Sequence, residues 1–295
     1  MLALSFSDMM IPAIIGGVVI FFIIAFVITG FVKGLFRMAL GLIFLAAGMA
    51  AGQWGLWKGS SIAGTFVDRP DPWMSAAVAV IVGLATFFVA RALIGVILHP
   101  LRSGEARNRR LGAPGGILGL LMGAAFAWFC LSGVRYVGTI SELAWLQAAV
   151  ESREWLNARG VEAKASTRPT QPLFSKIKRE IDDNAIGQLH GKYDDFLNSR
   201  AHANLAKLSI IFGSEQAGAR VRLVPAVRAA TDQEQIRNLL ENKNSNLKAF
   251  HDYSQLLHSE LIRETCRSDE VQELLTDLDL EKALGLAGNQ ADEKK

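Results

Sequence analysis

The stretch that decides the fold is RRLGAPGGILGLLMGAAFAWFCLSGV, residues 109–134. After its two arginines, residues 113–134 form a run of 22 positions without a charged side chain. At a rise of about 1.5 Å per residue, this run spans about 33 Å, which matches the hydrocarbon thickness of a bilayer. Small residues recur every fourth position and therefore share one helix face: Gly115, Gly119, Gly123 and Ala127. The sequence predicts a membrane-spanning helix with a groove for a second helix.

Three further apolar runs precede this one and predict a four-span membrane domain over residues 1–138. The predicted spans cover about 11–32, 38–57 and 73–98, with 113–134 as the fourth. Glycines at or beside these spans are expected to let helix backbones approach closely. The predicted helix-packing positions are Gly30, Gly34, Gly48, Gly52, Gly112, Gly115, Gly116, Gly119 and Gly123.

Composition divides the chain into an apolar half and a polar half. Mean hydropathy is +0.25 although 20% of the residues are charged. Residues 1–149 contain ten Lys/Arg and five Asp/Glu, and the remainder contains 21 and 23. The basic excess therefore belongs to the short loops of the membrane half, which indicates membrane topology and excludes a nucleic-acid partner. The two cysteines cannot form a disulfide framework.

Charge placement predicts the orientation of the spans. Six cations lie on one side of the predicted membrane: Lys33, Arg37, Arg102, Arg107, Arg109 and Arg110. Only Lys58, Arg69 and Arg135 lie close to the membrane on the other side. By the positive-inside rule the six face the cytoplasm, so both termini and the loop over 58–72 are predicted to be extracytoplasmic.

Arg91 is the only charged residue well inside a predicted span. It could mark an ion path or an intramembrane polar site. It also lies about 10 Å from the cytoplasmic end of its span, within reach of a snorkelling side chain, which is the favoured interpretation. The four spans contain no Asp or Glu that could pair with it.

The remainder predicts an all-α fold, with a soluble helical bundle after the membrane domain. Residues 139–172 form a connector, which is either an amphipathic helix at the membrane surface or an ordinary soluble helix, followed by the helix-breaking prolines Pro169 and Pro172. Helical periodicity then continues over 173–287, with a capping box predicted at Thr231 to Glu234. Residues 288–295 are predicted to be frayed.

The membrane half resembles the colicin V production protein (CvpA) family over about residues 8–140. The resemblance is carried by the basic turn from Gly30 to Phe36, and by Arg110-Leu111-Gly112 followed by Gly115, Gly116 and Gly119. It implies a bacterial inner-membrane protein with a role in production or export of a peptide toxin, and no established molecular activity. Some members of the family carry a serine protease after the spans, but no G-x-S-x-G or Gly-Asp-Ser-Gly stretch follows residue 140 here.

The sequence indicates no catalytic, cofactor-binding or metal site. The tail histidines are His190, His202, His251 and His258, and none has the close spacing that zinc ligands on one helix require. They are therefore interpreted as surface or packing residues. Cys266 lies near Arg263 and Arg267, but a structural cysteine is favoured over a reactive thiol. Leu131-Ser132-Gly133 lacks the glycine two residues before the serine that intramembrane serine proteases show.

Three functions remain open from the sequence. The favoured one is a non-catalytic membrane scaffold, with the bilayer and a membrane-protein partner or a second copy as its partners and with an unknown tail partner. The second is a small channel or transporter subunit in which Arg91 lines a path. The third is an enzyme whose site is assembled in the tail.

Overall fold

The computed structural model describes residues 6–33, 35–67, 72–97, 113–157, 167–194, 199–241 and 253–286. Every regular element in these ranges is an α-helix, which confirms the all-α prediction for this part of the chain. Four long helices come first: α1 (Phe6–Lys33), α2 (Leu35–Ala63), α3 (Pro72–Ile97) and α4 (Ala113–Glu151).

Eleven shorter helices follow in the described part of the tail. They are α5 (Arg153–Asn157), α6 (Leu173–Asp183), α7 (Ala185–Tyr193), α8 (Arg200–Ile211), α9 (Glu215–Val221), α10 (Pro225–Asp232), α11 (Glu234–Glu241), α12 (Tyr253–Leu257), α13 (Glu260–Thr265), α14 (Asp269–Thr276) and α15 (Leu280–Leu284).

Among the described residues, three helices are long and apolar enough to cross a membrane. Their qualifying segments are Met38–Ala63, Trp73–Leu93 and Ala113–Glu151. The apolar part of α1 that the structure describes in full, Gly16–Val32, is shorter. The chain therefore has the character of a multi-pass membrane protein, and the count of four spans stays a prediction.

Helix α4 continues well beyond the predicted end of its span at residue 134. No proline interrupts residues 135–151, so the backbone hydrogen-bond ladder extends to Glu151. The side chains of Leu143, Leu146 and Ala149 on this extension are at most 1% exposed. Such complete burial inside the protein favours the ordinary helix over a helix lying on a lipid surface.

The chain divides into two compact units, and the predicted segment boundaries stay a prediction. The first contains residues 1–137 and 177–190, and the second contains 138–176 and 191–295. Residues 177–190, which the sequence assigns to the soluble bundle, group with the long apolar helices. This grouping reflects contacts between parts of the chain that are distant in sequence, such as Arg135 with Asp182.

The first unit has a small core and a largely apolar surface. Met38, Leu45 and Met122 are buried together, with Phe26 and Phe126 packed against them. Large side chains point outward on the long helices, such as Phe21 at 67%, Ile81 at 66% and Ile117 at 63% exposed. Exposed apolar area on this scale is the surface that a bilayer covers.

The second unit buries large aliphatic side chains. Fully buried members of its core include Leu205, Leu208, Ile211, Ile236, Leu256 and Ile262. Serine hydroxyls cap several of its helices, as Ser199 does for α8 and Ser259 for α13. The predicted capping box is wrong, because Thr231 lies inside α10 and its hydroxyl donates to the carbonyl of Arg228.

Candidate functional site

Helices α1 and α4 pack through glycines with their backbones in close contact. A Cβ at Gly119 would overlap the backbone carbonyl of Phe26, and one at Gly30 would overlap the carbonyl of Gly115. At Gly123 it would lie 2.9 Å from the Cα of Ile23. Larger residues at these positions would force the two helices apart, so the glycines are required for this approach.

Helices α2 and α3 pack in the same manner. A Cβ at Gly55 would lie 2.8 Å from the Cα of Ala79, and one at Gly59 would lie 2.7 Å from the Cα of Ser75. A Cβ at Gly48 would lie 3.1 Å from the carbonyl oxygen of Gly83. Two glycine-dependent helix pairs therefore organise the first unit.

Two of the remaining predicted packing glycines have looser contacts, and two lie outside the described residues. Gly52 lies near the carbonyl of Ala79 and the ring of Phe129, and a Cβ at Gly52 would be 3.4 Å from each. Gly116 lies beside the ring of Phe31 at the same distance. Gly34 and Gly112 lie outside the described residues, and so do Arg102, Arg107, Arg109, Arg110 and the side chains of Lys33 and Arg37.

Arg91 lies on the exposed surface of α3 among apolar neighbours. Phe88 and Leu93, on the same helix, are 60% and 59% exposed. An arginine on such a surface can reach the headgroup region with its long side chain. Arg91, which the sequence marks as a possible intramembrane polar site, therefore lies on the exposed face of α3.

A buried polar cluster lies where the charge-free part of α4 ends. The Arg135 side chain is 1% exposed, and its Nε donates to Asp182 Oδ1 at 2.7 Å. Its Nη1 lies 2.8 Å from His190 Nδ1, and His190 Nε2 lies 3.1 Å from Ser132 Oγ. Lys178 also reaches Asp182, at 3.4 Å. We refer to Ser132, Arg135, Asp182 and His190 as the polar cluster.

A tight corner between α6 and α7 places Asp182 and His190 for these contacts. The Asn184 side-chain oxygen accepts a hydrogen bond from the Gly187 amide at 2.9 Å, which caps the first turn of α7. A Cβ at Gly187 would overlap the carbonyl of Ile181. The corner therefore requires glycine at position 187, and it brings the buried His190 back to α4.

The hydrogen-bond polarity of the cluster does not fit a serine nucleophile. Arginine has no acceptor atom, so His190 Nδ1 must accept from Arg135 and the ring proton must lie on Nε2. That proton is then donated towards Ser132 Oγ or the Trp128 carbonyl, 3.3 Å away. A catalytic histidine needs the opposite arrangement, with a free Nε2 lone pair facing the serine. These contacts connect α4 with α6 and α7 through buried polar groups.

The sequence does not reveal this cluster. Its charge pattern places Arg135 among the cations outside the membrane, whereas the side chain is buried and ion-paired. His190, predicted to be a surface or packing residue, is a fully buried hydrogen-bonded one. Ser132 and Arg135 do stand three apart on one helix face, but their partners lie 47 to 58 residues further along the chain. A single sequence carries no signal for such pairings.

The second unit contains its own buried charge cluster. Lys207 Nζ lies 3.1 Å from Glu142 Oε2 and 2.6 Å from Glu281 Oε1, and all three side chains are at most 10% exposed. Burial alone would lower the pKa of Lys207, but the two carboxylates outweigh it and raise that pKa above its usual range. The two carboxylates therefore favour the charged lysine, which forms ion pairs that connect α4, α8 and α15.

Two further side chains of the second unit, Cys266 and His258, have shifted pKa values. Burial raises the pKa of the Cys266 thiol to about 12, which supports the interpretation as a structural cysteine. Partial burial and then the neighbouring His202 lower the pKa of His258 to about 4. Within the described ranges no three His, Cys, Asp or Glu side chains are grouped so that they could hold a metal ion. His251 lies outside the described residues.

Comparison of the chain with protein-family models, with curated proteins and with solved structures finds no match.

Proposed function

We propose that the protein is a non-catalytic scaffold of the bacterial inner membrane that resembles the CvpA family. Its membrane half is proposed to have four spans, both termini outside the cytoplasm, and a soluble helical bundle after the spans. In this proposal the membrane half recruits a membrane partner or a second copy, and the tail binds an envelope component. The protein would then support toxin production, toxin export or another envelope process.

The observation that carries the proposal is the state of the buried polar groups. His190 faces Ser132 with a proton instead of a lone pair, and the charge of Lys207 is neutralised by two carboxylates. Both clusters satisfy the groups within them and leave none poised for proton transfer or nucleophilic attack. Apolar helices with wide exposed faces supply the contact area that a scaffold needs.

The proposal is tested by complementation of a strain that lacks the chain, with toxin secretion and envelope integrity as readouts. Ser132→Ala and Cys266→Ala are expected to restore the readout in proportion to the amount of protein in the membrane. Loss of complementation by Ser132→Ala at undiminished abundance would show that the hydroxyl reacts, and would replace the scaffold with an enzyme.

A channel or transporter subunit is the second candidate, because Arg91 sits on an exposed apolar face that oligomerisation could turn into a path. Ion flux into vesicles that contain the purified protein would distinguish the two. The scaffold predicts flux no greater than in empty vesicles. Flux that is abolished by Arg91→Ala and retained by Arg91→Lys would favour the channel.

A further inference from the structure

Helix α7 carries an apolar strip that the described part of the protein leaves uncovered. Ile186, Leu189 and Tyr193 are 45%, 57% and 67% exposed. They follow one another at i, i+3 and i+7, so they share one face of the helix. The buried Gly187 and His190 lie on one side of that face, and the exposed Gln188 lies on the other. The helix thus has a protein-facing, an apolar and a polar side.

The contacts of His190 fix the depth of α7 along α4. Its ring lies 4.3 Å from that of Trp128, at 31° between the planes, and its Nε2 lies 3.1 Å from Ser132 Oγ. At about 1.5 Å per residue, Ser132 is about 3 Å and Trp128 about 9 Å from the end of the charge-free run at residue 134. Helix α7 therefore lies at the level where the apolar part of α4 gives way to charged residues.

The neighbours of the strip have the chemistry of a membrane boundary. Trp128, which His190 contacts, is 38% exposed, so α7 adjoins the uncovered apolar surface of α4. The exposed Lys192 lies next to Tyr193, with its Nζ 5.9 Å from the tyrosine ring centre. Aromatic rings and lysines with apolar stems favour the headgroup region, while isoleucine and leucine favour the acyl chains below it.

We propose that α7 is an interfacial helix whose strip of Ile186, Leu189 and Tyr193 lies in the boundary between lipid headgroups and acyl chains. The occupant of this face is the bilayer leaflet that surrounds α4, and the polar cluster anchors the helix to the span at that depth. The inference rests on the proposed membrane location of the first unit. It adds that a segment far along the chain returns to the membrane surface.

Spin labels on the full-length chain in vesicles of phosphatidylcholine and phosphatidylglycerol test the inference. The native thiols are removed by Cys130→Ala and Cys266→Ala, and single labels are placed through Ile186→Cys, Leu189→Cys, Gln188→Cys and Phe88→Cys. Collisions with oxygen report lipid, and collisions with a water-soluble nickel chelate report water. Gln188 is the matched control on the same helix, and Phe88 reports the membrane location of α3 independently.

The inference predicts that labels at 186 and 189 collide several-fold more with oxygen, relative to the chelate, than the label at 188. Values at 186 and 189 equal to those at 188, with 88 still in lipid, would overturn the interfacial helix and leave the membrane function standing. Labels at 186 and 189 that neither reagent reaches would show a protein occupant and also overturn it. Access of the chelate to 88 would overturn the membrane location, and the inference with it.

Discussion

The two units bury their interiors by opposite means. In the first, Gly30, Gly119 and Gly123 let the backbones of α1 and α4 touch, while large side chains point outward. In the second, leucine and isoleucine fill the interior, and Leu208 and Ile262 are completely buried. In lipid, burial of apolar side chains contributes little free energy to helix association, because the acyl chains are equally apolar. Close packing of small residues therefore has to stabilise the helix pairs. In water, removal of large apolar side chains from solvent is the main stabilising term.

Because of this difference, opposite kinds of substitution should damage the two units. Added side-chain volume should damage the first unit, and removed volume should damage the second. The described part of each unit also contains a buried charged cluster, around Arg135 in the first and Lys207 in the second. These clusters are where single substitutions should have the largest effects.

The largest effect is expected for Lys207→Met. It leaves the buried Glu142 and Glu281 without their cation, and an uncompensated buried charge costs about 3–5 kcal/mol of unfolding free energy. Chemical denaturation of the purified chain, followed by circular dichroism, measures the loss. The matched control is Arg228→Met, because the Arg228–Asp232 pair is exposed and should contribute less than about 1 kcal/mol. Equal losses in the two variants would contradict the structural role of the buried lysine.

Large-to-small substitution in the second unit is expected to rank next. Leu208→Ala removes a fully buried side chain from α8 and should cost about 2–5 kcal/mol through lost transfer energy and the remaining cavity. Leu223→Ala changes the same residue type at a position that is 82% exposed and should cost less than about 0.5 kcal/mol. Denaturation midpoints of the two variants give the comparison. A stability of Leu208→Ala equal to that of the unmodified chain would refute the packed interior.

Small-to-large substitution in the first unit comes third. Gly119→Leu places a side chain against the backbone of Phe26 and should cost about 1–3 kcal/mol of helix packing, because the helices must separate. The amount of protein in the membrane and its resistance to protease should both fall. Leu120→Ile, at a neighbouring position that is 47% exposed, should leave both unchanged. Equal membrane abundance and protease resistance of the two variants would contradict the requirement for glycine at position 119.

The smallest effect is expected from His258. Its pKa is lowered to about 4 from the ordinary 6.5, so the folded state favours the neutral ring. The resulting contribution is complete above about pH 6.5 and is lost as the pH falls towards 4, because the unfolded chain takes up the proton first. His258→Asn should flatten the fall in stability over this window by less than about 1 kcal/mol, since the side chain is partly exposed. If His258→Asn leaves the pH profile unchanged, the fall in stability between pH 6.5 and 4 has another cause.

Much of the architecture follows from the sequence, because it depends on local patterns. Long apolar runs identify α2, α3 and α4, and the period of four at Gly115, Gly119 and Gly123 indicates a face suited to close packing. The sequence does not indicate that α1 packs against this face of α4, because glycine spacing identifies one helix surface and not the helix that contacts it. It also misses the end of α4, because the charges that stop a membrane span do not stop a helix.

The polar cluster is beyond prediction from the sequence for a related reason. Its residues come from three helices, and the turn that joins α6 to α7 decides whether Asp182 and His190 meet Arg135. The Asn184 cap and Gly187 form this turn, but the residues around them do not indicate which distant helix the turn faces. Pairings of this kind are fixed by tertiary packing, which no local pattern records.

The membrane topology of the full chain is the sharpest test of the proposed arrangement. Reporters that fluoresce only in the cytoplasm, or are active only in the periplasm, are fused after residues 65, 105 and 290. Four spans in the proposed orientation predict that position 105 is cytoplasmic, while 65 and 290 are extracytoplasmic. A cytoplasmic signal at 290 would contradict either the four-span arrangement or the proposed orientation, and the partners of the tail would then have to be sought inside the cell.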